Sequence, residues 1–257
     1  MKNLFSLEGR TALVTGGSRG IGRMIAAGFI AQGAKVYISS RKAEACEATA
    51  KELSAGGGTC VPLAIDISNV GAARSLAATL GSRERKLDIL VNNAGAAWLE
   101  KFDAFPEKGW DKVMDLNVKA PFFLTQALHG LLREAARADK PAKVINIASI
   151  DGIAVNPQET YSYAASKAAF IHLTKRMSLK LIEDNIVVSA IAPGAFASDM
   201  NVDARDHAAE IAKRIPSRRI GTDEDMAGAA IYLASRAGDY VVGATIVVDG
   251  GVSLARV

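Results

Sequence analysis

Short runs rich in Val, Ile, Leu and Ala recur along the chain: "TALVTG", "AKVYISS", "CVPLAID", "LDILVNN", "AKVINIAS", "IVVSAIAPG" and "ATIVVDGG". Each is continuously apolar rather than alternating, so each reads as a strand that must be covered on both faces. Between them lie segments with helical spacing, such as "IGRMIAAGFIAQG" and "MAGAAIYLASRAG". Strand and helix in alternation predict right-handed βαβ crossovers and a doubly wound parallel sheet with helices on both faces. No Pro/Ser-rich linker or low-complexity segment divides the sequence, and "SAGGG" at 54–58 reads as a single turn. The expectation is one α/β domain over residues 1–257.

Composition narrows the function classes. The net charge of +4 is spread along the chain, without basic runs or arginines interleaved with aromatics, which argues against nucleic-acid binding. Cys46 and Cys60 are too few and too poorly placed for a disulfide framework, and read as free thiols in a reducing compartment. His129, His172 and His207 share no metal-ligand spacing, so no metal is expected. "MKNLFSLEGR" has no useful apolar stretch, and no window approaches a membrane span; the expected location is the cytoplasm.

The segment "LVTGGSRGIGRMIAAGF" places Gly16, Gly20 and Gly22 between the first strand and the first helix. Glycines there permit a tight turn, let backbone approach a pyrophosphate, and expose helix N-terminal N–H groups to negative charge. At the end of the second strand, where an acid would bind a ribose 2′-hydroxyl, the sequence reads "YISSRK", with Ser40 and Arg41. With Arg19 from the glycine loop, these supply a hydroxyl and two guanidiniums suited to a 2′-phosphate. Downstream, Tyr163 and Lys167 are four apart and share a helix face. An ammonium beside a phenol favours the phenolate, so the expectation is a lowered Tyr163 pKa. Tyr161 sits roughly 120° off the Lys167 face and reads as packing or as a wall of the substrate entrance. The alanines at 164, 165, 168 and 169 allow close helix contacts. Ser149 ends the fifth strand, at the edge where ligands meet such sheets, and its hydroxyl suits a developing oxyanion. Asn117 stands in a helical pattern that disfavours it.

Taken in order, "TGGSRGIG" at 15–22, "NNAG" at 92–95, "NV" at 117–118, Ser149, "YAASK" at 163–167 and "PG" at 193–194 resemble the short-chain dehydrogenase/reductase family over essentially the whole chain. The resemblance implies a single-domain Rossmann fold with a seven-stranded sheet and NADP(H) as cofactor. It implies Asn117, Ser149, Tyr163 and Lys167 as catalytic residues, with Asn117 holding a water that passes protons to Lys167. It also implies cofactor contacts from Gly16, Ser18, Arg19, Gly20, Ile21 and Gly22, from Ser40 and Arg41, and from Tyr163 and Lys167. Asp66 and Ile67 would meet the adenine, while Asn92, Asn93 and Gly95 would border the adenosine. Pro193, Gly194 and Ser198 would lie against the nicotinamide half, Ser198 replacing a frequent threonine. Ser149 and Tyr163 stand one residue further apart than is usual, an insertion that brings Asp151, Ile153, Asn156 and Gln158 toward the substrate.

The segment around 195–218 reads as a substrate lid, and its spacing resembles the 3-oxoacyl-thioester reductase branch. Trp98, Leu99 and Phe196 would make an apolar pocket for a ketone or acyl-thioester substrate. A cyclic, steroid, aryl or sugar-derived ketone stays open on these residues, as does a non-catalytic NADP-binding regulator, which intact Tyr163 and Lys167 disfavour. By resemblance the chain forms homotetramers through the helix after Asn117 and the helix carrying Tyr163.

Overall fold

The computed structural model describes residues 3–255. Its strands are β1 (Thr11–Thr15), β2 (Lys35–Ser39), β3 (Thr59–Leu63), β4 (Ile89–Asn92), β5 (Ala142–Ile147), β6 (Ile186–Pro193) and β7 (Thr245–Val248). Its helices are α1 (Gly20–Ala31), α2 (Ala43–Ser54), α3 (Val70–Gly81), α4 (Glu107–Met114), α5 (Ala120–Ala135), α6 (Tyr161–Leu181), α7 (Val202–Asp206), α8 (Ala208–Ala212) and α9 (Asp223–Ala234). The strands form one parallel sheet in the order β3-β2-β1-β4-β5-β6-β7.

Continuous apolarity has the expected outcome in the five interior strands, whereas the edge strands β3 and β7 are only partly covered, with Val247 of β7 exposed. Ala12 and Val14 of β1, Ile89 and Val91 of β4, and Ile145 and Ile147 of β5 face a core completed by Met24, Ile25 and Phe29 of α1 and by Met226, Ala230 and Leu233 of α9. The intervening Leu13, Leu90 and Val144 face a second core with Leu76 and Leu80 of α3 and Leu124, Leu128 and Leu132 of α5. The period of two along each strand thus sends successive side chains into two separate apolar layers.

α4 and α5 are joined by a π-helical turn, Asp115–Lys119, which widens the coil around Asn117. Pro121 sits at the start of α5. Having no N–H, it cannot donate to the carbonyl four residues back, which belongs to Asn117. The propensity conflict at Asn117 is therefore resolved by a local change of helix type.

At the opposite edge of the sheet from the strand C-termini, charge is buried. Lys143 at the start of β5 is 1 % exposed, with its ammonium 2.7 Å from a carboxylate oxygen of Asp239. Burial pushes the lysine pKa down and Asp239 pulls it back. Removing one partner of a buried pair leaves an uncompensated charge. Because Asp239 is partly exposed, Asp239→Asn is expected to cost about 2 kcal/mol in urea unfolding at pH 7. A lysine whose folded pKa is depressed binds fewer protons folded than unfolded, so stability rises with pH through that window. The deficit of the variant should shrink as the buffer approaches pH 10, the unfolded lysine range.

Candidate active site

The strand order reverses between β1 and β4, and the loops that follow these two strands flank the resulting crevice. Thr15 locks them together. Its hydroxyl donates to the Val91 carbonyl (3.2 Å) and accepts from the backbone N–H groups of Asn93 (2.9 Å) and Ala94 (3.0 Å). The Asn93 amide donates back to the carbonyls of Thr15 (2.8 Å) and Gly16 (3.2 Å). Gly16 adopts a left-handed φ of 65°, and a Cβ on Gly22 would stand 2.3 Å from the Gly16 carbonyl oxygen. Only glycine allows that close approach.

α1 starts directly after this turn, with no side-chain cap and no acid in its first turn. Its first N–H groups are left to an anion, so the loop fits a dinucleotide pyrophosphate. Ser18 donates to Ser40 (2.9 Å), bringing the glycine loop against the end of β2, with Arg41 exposed beside it. Arg19 is exposed and forms an ion pair with Asp199 of the segment after β6.

Two residues expected to face the adenosine do other work. The Asn93 side chain is spent on the loop backbone. Asn92, 3 % exposed, donates to Thr125 (3.1 Å) and to Asn146 (2.9 Å), whose own amide donates to Thr174 (2.8 Å), so it ties β4 to β5 and α5 within the core. Ile67 is buried in the core beside Leu63 and Leu76, while exposed Asp66 accepts from the Ser68 N–H (3.1 Å). Gly95 lies close to the Asn117 amide. Pro193 ends β6, and Gly194 continues its pairing through an N–H bond to Val248 (2.9 Å). Ser198 passes over Gly20, where an added Cβ would be 3.1 Å from the serine Cβ.

The second half of the site lies at the C-terminal end of β5. Ser149 is buried, and its hydroxyl accepts from the Asp151 N–H at 3.1 Å. Tyr163 and Lys167 share one face of α6, the ammonium 5.5 Å from the phenol ring centre. Lys167 is buried and donates to the Ile147 carbonyl at 2.8 Å.

The expected lowering of the Tyr163 pKa is not found. Burial pushes this phenol up to about 12, and only a hydrogen bond with Ser149 pulls the other way. The same burial brings Lys167 down to about 8 despite nearby Asp151. With the ammonium behind the ring and bonded to Ile147, desolvation outweighs its attraction for the phenolate. The Asn117 amide is fully engaged as well. It accepts from the Ala96 N–H (2.8 Å) and donates to the Ala96 carbonyl (2.9 Å) and to Ser166 (2.9 Å), whose hydroxyl donates to the Tyr163 carbonyl (2.7 Å). It therefore clamps the loop after β4 to α6.

Tyr161 is a neighbour, as its angle on the helix required. It stacks edge-on with Phe102 and Phe105 at 5.6 and 5.7 Å and donates to Glu159 (2.9 Å). The expected pocket of Trp98, Leu99 and Phe196 does not assemble. Phe196 is 2 % exposed and packs on Gly221, Trp98 packs over Gly109 with the Lys112 ammonium 5.4 Å from its ring, and only Leu99 is open. Sequence reasoning also missed bracing residues. Thr15 lies inside the glycine motif and Ser166 directly before Lys167, and nothing local in the sequence marks either as a brace. Gly152 has no room for a Cβ, which would be 2.6 Å from the Lys167 carbonyl carbon; only a glycine in the inserted loop hinted at it.

With this geometry, likeness to known proteins becomes informative. The family described as "Enoyl-(Acyl carrier protein) reductase" matches residues 16–253. The "Rhamnolipids biosynthesis 3-oxoacyl-[acyl-carrier-protein] reductase" of Pseudomonas aeruginosa is 47 % identical, over 99 % of this chain and 100 % of that protein. The chain belongs to the short-chain dehydrogenase/reductase family. It is an oxidoreductase of that family, with the family's fold. The solved "Pseudomonas aeruginosa RhlG/NADP active-site complex" superposes with a TM-score of 0.94 at 46 % identity, covering 98 % of this chain and 100 % of that one. The "2-dehydro-3-deoxy-D-gluconate 5-dehydrogenase" of Dickeya dadantii is 38 % identical over 97 % of both proteins.

The glycine turn yields a direct check. Gly22→Ala is expected to weaken NADPH binding at least about tenfold, followed by the fluorescence of the bound nucleotide. Circular dichroism should show the fold retained.

Proposed function

We propose that the protein is an NADPH-dependent ketoreductase whose substrate is a 3-oxoacyl thioester. The observation that carries the substrate class is apolar surface at the site's mouth. Leu99 and Phe102 follow β4, Ile153 and Val155 follow β5, and Met200 and Val202 follow β6, and all six are exposed. Loops after the C-terminal ends of adjacent strands share one edge, so these side chains offer an acyl chain a surface to cover. A sugar acid would leave that surface in water. Similarity to a 3-oxoacyl-[acyl-carrier-protein] reductase at 47 % identity, against 38 % for a sugar-acid dehydrogenase, supports the same reading.

Gly16, Gly20, Ile21 and Gly22 would hold the pyrophosphate on the start of α1. Ser18, Ser40, Arg19 and Arg41 would surround the 2′-phosphate, with the backbone near Asp66, Ile67 and Gly95 beside the adenosine. Pro193, Gly194 and Ser198 would flank the nicotinamide. When bound, the cofactor supplies hydride from its nicotinamide C4. Tyr163 donates its phenolic proton to the carbonyl oxygen as that oxygen becomes an alkoxide, while the Ser149 hydroxyl holds the same oxygen. A phenol near 12 is protonated at neutral pH, the state a reductase needs. Lys167 supplies the replacement proton and orients the nicotinamide ribose. Any contribution of Asn117 to that relay falls to its backbone carbonyl, which lacks an α-helical donor because Pro121 has no N–H.

Two properties complete the reading. Homotetramers would pair α5 and α6 with their counterparts, consistent with Ala165, Ala168 and Leu179 lying exposed along α6. Cys46 and Cys60 are buried free thiols, which suits a cytoplasmic protein, and among the described residues no helix is long and apolar enough to cross a membrane.

The deciding experiment follows NADPH absorbance with acetoacetyl and longer 3-oxoacyl thioesters, cyclic ketones and keto-sugar acids. Turnover should rise with acyl length; a preference for keto-sugar acids would overturn the substrate assignment. Tyr163→Phe should lose at least about a thousandfold in kcat while still binding NADPH, and Tyr161→Phe should stay within about threefold of the parent. The rate of ketone reduction should hold through neutral pH and decline as pH passes through about 8, where Lys167 loses its proton. A flat profile to pH 10 would remove Lys167 from the relay.

A further inference from the structure

Arg19 has a second claim on it. Its guanidinium, at the residue that leads into α1, is ion-paired with Asp199. The other oxygen of the same carboxylate accepts from Arg205 of α7 at 2.9 Å. Arg205 is bound in turn to Asp206 through 2.7 and 3.0 Å contacts. Around this pair the segment is locally braced. The Ser198 hydroxyl accepts from the Asn201 N–H (3.1 Å), and the Asn201 side chain caps α7 by accepting from the Ala204 N–H (3.1 Å). Hence Asp199 is the charged link between the glycine loop and the segment after β6, whose Ser198 passes over Gly20.

We propose that Asp199 is a specificity-determining residue that competes with the cofactor's 2′-phosphate for Arg19, so that NADPH, and not NADH, detaches residues 198–206 from the glycine loop. This rests on the reading that Arg19 takes the 2′-phosphate. A carboxylate and a phosphate dianion cannot share one guanidinium without repelling each other. A phosphate offers the guanidinium the stronger, doubly charged acceptor. Displaced Asp199 keeps Arg205, so the segment stays ordered while losing its tether to α1. NADH carries no group for this exchange and leaves the Arg19–Asp199 pair intact. Asp199 thereby lowers the intrinsic preference for NADPH and converts part of its binding free energy into movement of the segment.

The test measures dissociation constants of NADPH and NADH by nucleotide fluorescence, with no substrate present, together with hydrogen exchange of peptides spanning 198–206. The pair is solvent-exposed and screened, so Asp199→Asn is expected to tighten NADPH about two- to fivefold at low salt, less at high salt, and to leave NADH unchanged. In the parent protein, NADPH should alter exchange across 198–206 and NADH should not. In Asp199→Asn, exchange should already be altered without nucleotide. NADPH binding that is unchanged or weaker in Asp199→Asn overturns the competition, and unchanged exchange on NADPH binding overturns the coupling. Arg19→Ala separates the premise: if it leaves NADPH affinity intact, Arg19 does not read the 2′-phosphate. If it weakens NADPH while Asp199→Asn has no effect, the premise stands and the role of Asp199 falls.

Discussion

The bracket between Thr15 and Asn93 is the interaction on which the remaining site geometry depends. Parallel strands β1 and β4 diverge in connectivity at the strand-order reversal, and their loops would otherwise part. The Thr15 hydroxyl uses its one donor and accepts twice, while the Asn93 amide donates twice, so neither residue retains a side-chain donor for a ligand. The glycine turn is thereby held against the loop after β4, and the N–H groups of α1 open onto the crevice. The surface that faces the crevice at this turn is mostly backbone, positioned by side chains whose donors are already used.

A second clamp ties the loop after β4 to α6. The Asn117 amide spans from Ala96 to Ser166, and Ser166 reaches the carbonyl of Tyr163. The face of α6 that carries Tyr163 and Lys167 is thus registered to the loop after β4 through a buried polar network whose members are mutually satisfied. Asn117 is buried within the π turn, and Pro121 has no N–H with which to close an α-helical bond to its carbonyl. Burial then divides the labour between the two titratable groups. It keeps the phenol protonated and lowers the lysine, still mostly charged at neutral pH, to about 8, the opposite order from that expected for a lysine acting only as a fixed charge beside a phenolate.

Most of the fold was legible because its signals are local or periodic. The seven apolar runs are the seven strands; continuous apolarity met cover on both faces in the five interior strands, while the edge strands β3 and β7 stay partly open because each has a neighbour on one side only. The glycine spacing, the four-residue step from Tyr163 to Lys167, and the exclusion of Tyr161 by helix angle also follow from geometry within one element. Asn92, Phe196 and Trp98 were misread for a shared reason. Each sits beside a motif in sequence, but its side chain turns to a partner distant along the chain: Asn146, Gly221 and Gly109.

By itself, then, the sequence determined the layered parallel sheet, the glycine turn before α1 and the shared helix face of Tyr163 and Lys167, since these need only periodicity, glycine and helical spacing. Tertiary structure alone decided three further matters. It set the protonation order of Tyr163 and Lys167, because desolvation depends on everything packed around a group. It turned Asn92 and Asn93 into braces, because their partners arrive from other elements. And it joined Arg19 to Asp199, a contact across 180 residues that no local pattern encodes.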